Sequence, residues 1–414
     1  MRGPDRKWHA AVSPGVAGER RPWRAGRGAA ASPDVALVAP YPPPGERHGG
    51  WTGVASYAAA LAGALGDAGA RVTVVAPEED GLPRVVRDGA VEVRRSWRRG
   101  IAALPVAAAA ARATGAPAVH LQHELFLYGG PAAAPAIVPA LAGLRAARRR
   151  AVVTMHHVVA PAGVDRDFTR THGVRVPPPV ARAAVAAVQR AIGALAGGVV
   201  VHEPSFEGVV PGATVVPHGI EAPAAVPRAA ARAALGVDPD VTLALCFGFV
   251  APYKGLETAL EAARRTGDRV VLAIAGGEHP RLAGGYAAEL RAAAPPNARF
   301  TGYVPDAHVG AWFAAADVAL LLHPRPFATR GPLALALAHG TPVLMSEALA
   351  ATTGAPPALS VARGAAALAD RLRELGDDRS AAAALRDEAA VLAVGRSWPE
   401  IARRHLELYE EVGA

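Results

Sequence analysis

The chain has 414 residues and is 51% hydrophobic, so it can bury a large core and is typical of a globular protein rather than a disordered one. That length exceeds what one ordinary core supports, and we therefore expect two domains. The single cysteine, Cys246, excludes an intrachain disulfide and a thiolate-bound metal. The formal net charge of +8 suits an anionic partner, but no nucleic-acid-binding motif accompanies it, so we do not expect nucleic-acid binding.

The N-terminal segment and the lengths of the apolar runs indicate where in the cell the protein is expected. Residues 1–33 are rich in Arg, Gly, Pro and Ala and lack the apolar core of a signal peptide, so we predict a disordered extension. No run in the sequence reaches the roughly 20 apolar residues that span a bilayer, and we expect a cytoplasmic protein. Arginine clusters at 94–99 and 145–150 are either solvated helix faces or a patch that contacts the inner face of a membrane.

The first half of the chain alternates strand-like and helix-like segments. Short apolar runs that predict buried strands fall at 34–40, 71–76, 119–123, 151–156, 198–202 and 213–217. Alanine-rich runs that favour helix lie at 53–69 and 179–197. A strand, a loop, a helix and a second strand in this order are typical of a parallel doubly wound sheet, so we predict a Rossmann-like domain over 34–218.

The same pattern restarts after a predicted linker at 219–240. Strand-like runs occur at 241–249, 270–275, 298–301, 317–322 and 342–346. Helix-like runs occur at 254–266, 285–294, 306–315, 332–339 and 364–375. We predict a second Rossmann-like domain over 241–393 and a capped amphipathic helix within 394–414. Ligands bind at the carboxyl ends of the strands in such sheets, so we expect a cleft where the two domains face each other.

Three loops carry residues that suit an anion. Gly49 and Gly50 precede the first predicted helix, where consecutive glycines let backbone N–H groups approach a negatively charged ligand. Gly277 and Glu278 follow a strand of the second domain in the same way, and a tight turn is the alternative for both loops. The third loop leads into a later helix and joins two arginines with a hydroxyl as a predicted diphosphate clamp, formed by Arg325, Thr329 and Arg330.

Lys254 is the most informative residue of the chain. Lysine occurs only here and at Lys7, although the chain has 44 basic residues, so arginine is evidently used wherever any positive charge suffices. A lysine carries a compact charge on a flexible stem, which suits a phosphate oxygen inside a cleft. Lys254 follows an apolar strand and opens a helix-like run, where anions commonly bind. The alternative is a solvated lysine on a helix surface.

Histidines end several predicted strands. His123, which is followed by Glu124, lies at a strand end that faces the predicted cleft, where it can act as a base or bind a sugar hydroxyl. A buried structural histidine is the alternative. His156 and His157 are adjacent and point to opposite sides of a strand, and we assign His156 to the cleft on the acceptor side. The histidines lack metal-ligand spacing, so we predict no metal site.

An ordered set of motifs resembles the retaining glycosyltransferases of family 4. The motifs are the Gly-Gly-x-x-Gly-Val loop that begins at Gly49, the segments 216–220, 251–255, 316–318 and 336–343, and the terminal helix from Trp398 to Tyr409. Together they span about residues 34 to 412. The resemblance implies a GT-B fold, an α/β architecture of two Rossmann-like doubly wound domains that face each other across a deep cleft. It also implies that the last helix crosses back onto the N-terminal domain.

The resemblance implies roles for individual residues as well. The C-terminal domain would bind a nucleoside-diphosphate sugar as donor, without a metal ion or a cofactor. Lys254 would contact the donor diphosphate, with Gly50 beneath it from the other domain. The loop that contains Gly331 and Leu333 would surround the phosphates. His123 would lie near the transferred sugar, at a position that is often catalytic in such enzymes.

The sequence departs from the family pattern at three positions. Phe249 stands where many members have an arginine. Phe327 and Leu335 stand where many members have two glutamates, which contact the sugar and the ribose. The nucleotide and the sugar of the donor are therefore left open. We hypothesise that Arg325 or Arg330 supplies the missing second positive charge.

These features predict a metal-independent glycosyltransferase that moves a sugar from a nucleoside-diphosphate sugar to a hydroxyl acceptor with retention of anomeric configuration. The departing phosphate would help to deprotonate the acceptor. The alternatives are a sugar-nucleotide epimerase or a phosphorylase of the same fold, and a non-catalytic protein that binds nucleotide sugars. The acceptor is either a small polar molecule or a lipid-linked glycan.

Overall fold

The computed structural model describes residues 32–46, 53–221, 223–278, 285–325 and 331–413. Four residues predicted for the donor site lie outside these ranges, namely Gly49, Gly50, Thr329 and Arg330. Residues 1–31 of the predicted N-terminal extension lie outside them as well. Within the described residues the chain is an α/β protein with two mostly parallel sheets, as the alternation of apolar runs predicts.

Eight strands build the first sheet. They are β1 (Val35–Val38), β2 (Val72–Pro77), β3 (Val85–Asp88), β4 (Val91–Trp97), β5 (Ala118–His123), β6 (Ala151–Met155), β7 (Gly198–Val201) and β8 (Thr214–Val215). Their spatial order is β3-β4-β2-β1-β5-β6-β7-β8, and of the pairs in this sheet β3–β4 is antiparallel. The sequence analysis missed β3 and β4 because they form the sheet edge, where β4 alternates buried and more exposed residues instead of forming an apolar run.

Six parallel strands build the second sheet. They are β9 (Thr242–Phe247), β10 (Val270–Ala275), β11 (Ala298–Gly302), β12 (Val318–Leu321), β13 (Val343–Ser346) and β14 (Ser360–Val361). Their spatial order is β11-β10-β9-β12-β13-β14. The central strand β9 and its neighbours β10 and β12 are almost wholly buried, which explains why they read as continuous apolar runs in the sequence.

Helices connect the strands. In chain order they are α1 (Gly53–Asp67), α2 (Ala103–Ala113), α3 (Ile137–Ala146), α4 (Arg166–Thr171), α5 (Pro178–Leu195), α6 (Arg228–Ala234), α7 (Leu256–Thr266), α8 (Tyr286–Ala292), α9 (Asp306–Ala315), α10 (Gly331–Ala338), α11 (Glu347–Thr353), α12 (Ala365–Asp377), α13 (Arg379–Ala393) and α14 (Trp398–Glu411). Alanine fills many of the buried helix positions, for example in α1 and α2, because it has high helix propensity and lets helix and sheet approach closely.

The first sheet is covered on both faces. Val35 and Leu37 of β1 pack in one cluster with α1 and α14, whereas Ala36 and Val38 pack in another with α2 and α3. This split follows from the two-residue period of a strand, which sends alternate side chains to opposite faces. Burial on both faces is what a doubly wound parallel sheet requires.

The chain passes between the two sheets twice. The segment 219–240, which we predicted as a linker, contains α6, and its Ala231 packs in the hydrophobic core of the second sheet. That core therefore begins earlier in the chain than the predicted boundary at 241. On the return pass, the Ile220 N–H donates a hydrogen bond to the Arg396 carbonyl oxygen over 2.7 Å, so the two crossing segments lie side by side.

The last helix returns to the first sheet. Ile401 and Tyr409 of α14 are fully buried in the cluster that includes α1. The Tyr409 hydroxyl lies 2.7 Å from Nδ1 of His120 on β5. Because α14 follows the second sheet in sequence but packs on the first, it ties the two halves of the molecule together. Among the described residues, no helix is both long enough and apolar enough to cross a membrane.

Each sheet has a point at which the strand order reverses direction. In the first sheet it lies between β1 and β5, and in the second between β9 and β12. The loops that leave neighbouring strands at such a point diverge to opposite faces and open a crevice. His123 ends β5, and Lys254 follows β9, so both residues lie at these crevices.

Candidate functional site

Lys254 is held at the crevice of the second sheet by a short 3₁₀ turn, Pro252–Lys254, between β9 and α7. Its Nζ atom donates a hydrogen bond to the Phe247 carbonyl oxygen at 2.6 Å. Burial lowers the pKa of this ammonium group to about 8. A lysine that is withdrawn from water with a neutral carbonyl as its hydrogen-bond acceptor is poised to accept an anionic partner.

The glycines around Lys254 allow the surrounding backbones to pack closely. Gly248 has φ +94°, and a Cβ there would lie 2.7 Å from the lysine Nζ. A Cβ at Gly276 would lie 2.1 Å from the Gly248 carbonyl oxygen, and one at Gly255 would lie 2.3 Å from the Leu322 carbonyl oxygen. Any side chain at these positions would therefore displace the backbone or the lysine.

His323 is a residue of this crevice that the sequence analysis missed. It follows β12, is 3% exposed, and stacks on Tyr253 with ring centroids 6.0 Å apart. Burial, together with the smaller effect of the nearby positive charge of Lys254, lowers its pKa to about 3. The signal that could have located it is its place directly after a fully buried strand, on the other side of the strand-order reversal from Lys254.

The predicted residues Gly277 and Glu278 lie beside the same crevice. The Val250 N–H donates to the Gly277 carbonyl oxygen at 2.9 Å, which joins the loop after β10 to the loop that carries Lys254. Glu278 is exposed, and its carboxylate lies 3.4 Å from the Arg291 guanidinium. The structure thus brings this loop next to Lys254, with the Glu278 side chain paired on the surface.

The described residues predicted to surround the phosphates differ in their exposure and contacts. Arg325 Nη1 lies 2.7 Å from Asp165 Oδ2, a residue of the N-terminal domain. Gly331 is the exposed first residue of α10. Leu333 is 2% exposed and packs in the hydrophobic core, so its side chain does not face a ligand and only its backbone could contact one.

His123 is buried at the crevice of the first sheet, where it is 1% exposed. Neither of its ring nitrogens has a hydrogen-bond partner among the described residues. Burial lowers its pKa to about 4, with a smaller contribution from His157. A buried imidazole without a partner is costly, and such groups are often retained for function. Glu124, the next residue, is half-buried, and its carbonyl oxygen accepts a hydrogen bond from the Leu127 N–H.

His156, which we assigned to the cleft on the acceptor side, lies beside His123, and its N–H donates a hydrogen bond to the His123 carbonyl oxygen at 2.7 Å. It is 1% exposed, and its Nε2 lies 2.6 Å from the side-chain amide of Gln122, while its Nδ1 lies 3.3 Å from Nε2 of His202. His202 Nδ1 in turn lies 2.9 Å from the Val216 carbonyl oxygen. Through these contacts the His156 side chain links three strands of the sheet.

The two crevices offer different chemistry. The one at Lys254 presents a cation and the start of α7, which suits a phosphate-bearing ligand. The one at His123 presents a neutral imidazole, which can both donate and accept a hydrogen bond. No group of three or more His, Cys, Asp or Glu within the described part of the chain is placed to hold a metal ion.

Comparison with known proteins adds an independent finding. Residues 242–378 match the family model described as glycosyl transferases group 1. This segment contains all strands of the second sheet and Lys254. No curated protein sequence matches the chain.

Solved structures with the same fold cover nearly the whole chain. Sucrose-phosphate synthase from Thermosynechococcus elongatus has a TM-score of 0.69 at 20% identity, covering 91% of this chain and 98% of its own. HepE from Anabaena, solved with UDP and glucose, has a TM-score of 0.64 at 16% identity, covering 92% and 100%. The catalytic domain of starch synthase IV from Arabidopsis thaliana, bound to ADP and acarbose, has a TM-score of 0.61 at 14% identity, covering 92% of this chain and 100% of that domain. The predicted GT-B fold is confirmed.

Proposed function

We propose that this protein is a retaining, metal-independent glycosyltransferase that moves a sugar from a nucleoside diphosphate to a hydroxyl acceptor. The observation that carries the proposal is the buried ammonium group of Lys254 at the strand-order reversal of a domain that matches the group 1 glycosyltransferases. The fold is shared with proteins solved in complex with UDP and with ADP, which supports a nucleotide sugar as the donor.

Lys254 would stabilise the departing diphosphate. The bond between the anomeric carbon and the phosphate oxygen breaks, and negative charge collects on that oxygen in the transition state. A cation that is already desolvated interacts more strongly with this charge than a hydrated one would. The diphosphate would in return raise the lysine pKa from about 8, so the group would be fully charged when the donor is bound.

The glycine-rich backbone beside Lys254 would position the lysine for the same phosphates. Gly248, Gly255 and Gly276 let the surrounding segments pack closely around the lysine. We include Gly277, Glu278, Gly331 and Leu333 in the donor site through their positions on neighbouring loops, and also Gly49, Gly50, Thr329 and Arg330 by resemblance. Arg325 would supply the second positive charge of the clamp.

His123 would bind the transferred sugar. Its neutral imidazole has one donor and one acceptor nitrogen, both of which suit a sugar hydroxyl. With retention, the acceptor oxygen attacks the anomeric carbon on the face that the phosphate leaves. The acceptor proton then passes to the departing phosphate oxygen, so His123 need not act as the base. Glu124 would border the acceptor side.

The experiment that tests this proposal has two steps. Thermal shifts are first measured with UDP-, GDP-, ADP- and dTDP-glucose, because a ligand that binds the folded state raises Tm by mass action. The donor that binds is then incubated with the protein and a panel of hydroxyl acceptors, and the anomeric configuration of the product is determined by NMR. A product with inverted configuration, or no shift with any nucleotide sugar, contradicts the proposal.

Three other functions can be distinguished in the same experiment. An epimerase would convert the donor without any acceptor, and a phosphorylase would need inorganic phosphate. A non-catalytic binding protein, which the absence of the two family glutamates would suit, would shift in Tm but turn nothing over. We also propose a cytoplasmic location, for which the buried free thiol of Cys246 is suited because it would remain reduced there.

A further inference from the structure

A second concave surface lies at the carboxyl ends of the strands of the N-terminal domain. It has a volume of about 620 Å³, within the range of small-molecule pockets. Three segments enclose it: the end of the loop after β4, the segment after β5, and the end of α4. Residues that line it include Arg99, Phe126, Pro131 and His172. We call this surface the N-terminal groove.

The floor of the N-terminal groove is fixed by close backbone packing. The Gly100 N–H donates to the Tyr128 carbonyl oxygen at 2.8 Å. A Cβ at Gly129 would lie only 2.8 Å from the Gly100 backbone, so the two loops touch through their glycines. Beneath them the rings of Trp97 and Tyr128 pack with centroids 5.0 Å apart, and both side chains are buried. The two loops therefore act as one rigid unit.

One wall of the groove is aromatic. The ring centroids of Phe126 and His172 lie 5.0 Å apart, and those of Phe168 and His172 lie 4.5 Å apart. Phe126 and Phe168 complete the cluster at 6.3 Å. These rings come from two different segments, and Phe126 and His172 remain partly accessible. A partly exposed aromatic wall offers a surface on which the apolar face of a ring-shaped ligand can pack.

The N-terminal groove lies near His123 through a short series of histidines. His172 lies at a ring-centroid distance of 6.0 Å from His157. His157 follows His156, whose N–H donates a hydrogen bond to the His123 carbonyl oxygen at 2.7 Å. The aromatic wall and the imidazole that would hold the transferred sugar are therefore on neighbouring segments.

The described residues that line the groove carry positive charge and no negative charge. Arg99 is exposed at the groove, and no Asp or Glu is among the described residues that line it. A guanidinium group binds phosphate or carboxylate oxygens through paired hydrogen bonds, and its charge disfavours a cationic ligand. The groove therefore combines a ring-binding wall with an anion-binding group at its rim.

We propose that the N-terminal groove is the acceptor site and that the acceptor is an anionic sugar, with its ring on Phe126 and His172 and its phosphate or carboxylate on Arg99. Only the role of the bound sugar as an acceptor depends on the proposed glycosyl transfer. The binding itself is a property of the groove and can be measured without any donor. The volume of the groove suits a small soluble molecule, which favours the first of the two acceptor classes that the sequence left open.

The test measures the binding of glucose 6-phosphate, glucuronic acid and glucose to the full chain by ligand-observed NMR. We expect the two anionic sugars to bind and glucose to bind at least tenfold more weakly. Arg99→Gln should raise the Kd of the anionic sugars about tenfold or more, the effect of losing a charged hydrogen bond, and should leave the Kd of glucose unchanged. Phe126→Ala should weaken binding of all three sugars.

The matched control is Arg98→Gln. Arg98 is the neighbouring exposed arginine, it pairs with Glu78 at 2.8 Å, and it does not line the groove. Equal effects of Arg98→Gln and Arg99→Gln, or equal binding of glucose and its 6-phosphate, overturn the proposal. So does the absence of binding by every probe at millimolar concentration. A chain that binds anionic sugars but transfers nothing would refute the proposed function and leave the groove assignment standing.

Discussion

Arg325 and Asp165 form an ion pair that joins the two domains, with Nη1 and Oδ2 at 2.7 Å. Asp165 also caps α4, where its carboxylate accepts a hydrogen bond from the Phe168 N–H at 2.8 Å. That bond, followed by the charge of Arg325, lowers the pKa of the carboxyl group. The arginine proposed for the donor diphosphate is thus held by the helix that borders the N-terminal groove. A diphosphate would compete with Asp165 for the same guanidinium.

This competition predicts opposite effects for the two partners. Arg325→Gln should raise the KM for the donor about tenfold, because a charged hydrogen bond to phosphate is lost. Asp165→Asn should leave the donor KM unchanged or lower it, since asparagine keeps the helix cap and leaves Arg325 only its longer contact with Asp167 at 3.5 Å. The side chains of Arg325 and Asp165 are 62% and 38% exposed, respectively. The free energy of unfolding of each variant should therefore lie within about 1 kcal/mol of the wild-type value. Donor KM values and urea unfolding measure these outcomes, and equal KM changes in both variants would rule out competition.

Replacing Lys254 should separate stability from binding. In Lys254→Met the apolar stem remains while the buried charge is removed, so we expect Tm at pH 7 to stay the same or rise. The thermal shift produced by the donor should disappear in the same variant. Lys254→Arg should restore little, because Gly248 packs so closely on Nζ that a larger guanidinium does not fit. A donor-induced shift that survives Lys254→Met would remove the lysine from the donor site.

The lowered pKa of Lys254 predicts how donor affinity depends on pH. Below about pH 8 the free protein carries the ammonium group, and above it the amine is neutral and loses its attraction for diphosphate. Donor Kd should therefore rise between pH 8 and 9.5. The free energy of unfolding should rise over the same pH range in which donor affinity falls. The reason is that the unfolded lysine still holds its proton there, so raising the pH favours the folded state. Isothermal titration at pH 7, 8 and 9.5 checks the prediction, and a flat profile would contradict it.

His123→Leu tests whether the buried imidazole serves ligand binding. Since neither ring nitrogen bonds a described residue, a leucine of similar volume removes an unsatisfied polar group and should not lower the free energy of unfolding. We expect kcat/KM for transfer to fall about 10- to 100-fold, the effect of losing one or two hydrogen bonds to the sugar. The control is His157→Leu, which should change kcat/KM less. A fall in stability with unchanged transfer would make His123 a structural residue.

The buried strands, and the place of Lys254 after one of them, could be predicted because both depend on local features of the sequence. A strand buried on both faces is an uninterrupted apolar run, and β9 shows this clearly. A rare residue type such as lysine in an arginine-rich chain is visible in any sequence. Edge strands such as β3 lack that signal, because half of their residues face water.

The surroundings of the His156 and Leu333 side chains could not be predicted, because they depend on which side of a strand or helix faces the core. His156 and His157 differ by one position, and only packing of neighbouring strands shows that His156 meets Gln122 in a buried network. Leu333 belongs to a helix whose inner face is set by contacts with the sheet. Such long-range contacts also create the Arg325–Asp165 pair, which spans 160 positions of sequence.

The buried histidines predict a loss of stability in acid. His405 on α14 is fully buried, and burial lowers its pKa to about 4, whereas an unfolded histidine titrates near pH 6.5. Between these values the unfolded state binds more protons, so stability falls as pH drops from about 6.5 toward 4. From pH 7 to pH 5 a single such histidine should cost about 2 kcal/mol. His120, which lies 5.3 Å from it ring to ring, shifts in the same direction.

His405→Leu isolates one of these contributions. The variant loses a hydrogen bond from Nδ1 to the Ile401 carbonyl oxygen, which α14 also uses in its backbone ladder, so some stability is lost at pH 7. The difference in free energy of unfolding between pH 7 and pH 5 should nevertheless shrink by about 2 kcal/mol relative to the wild type, because one titrating group is gone. Urea unfolding at both pH values measures that difference. Substitution of exposed His308 by leucine serves as the control and should leave the difference unchanged, whereas an undiminished difference in His405→Leu would show that other groups carry the acid sensitivity.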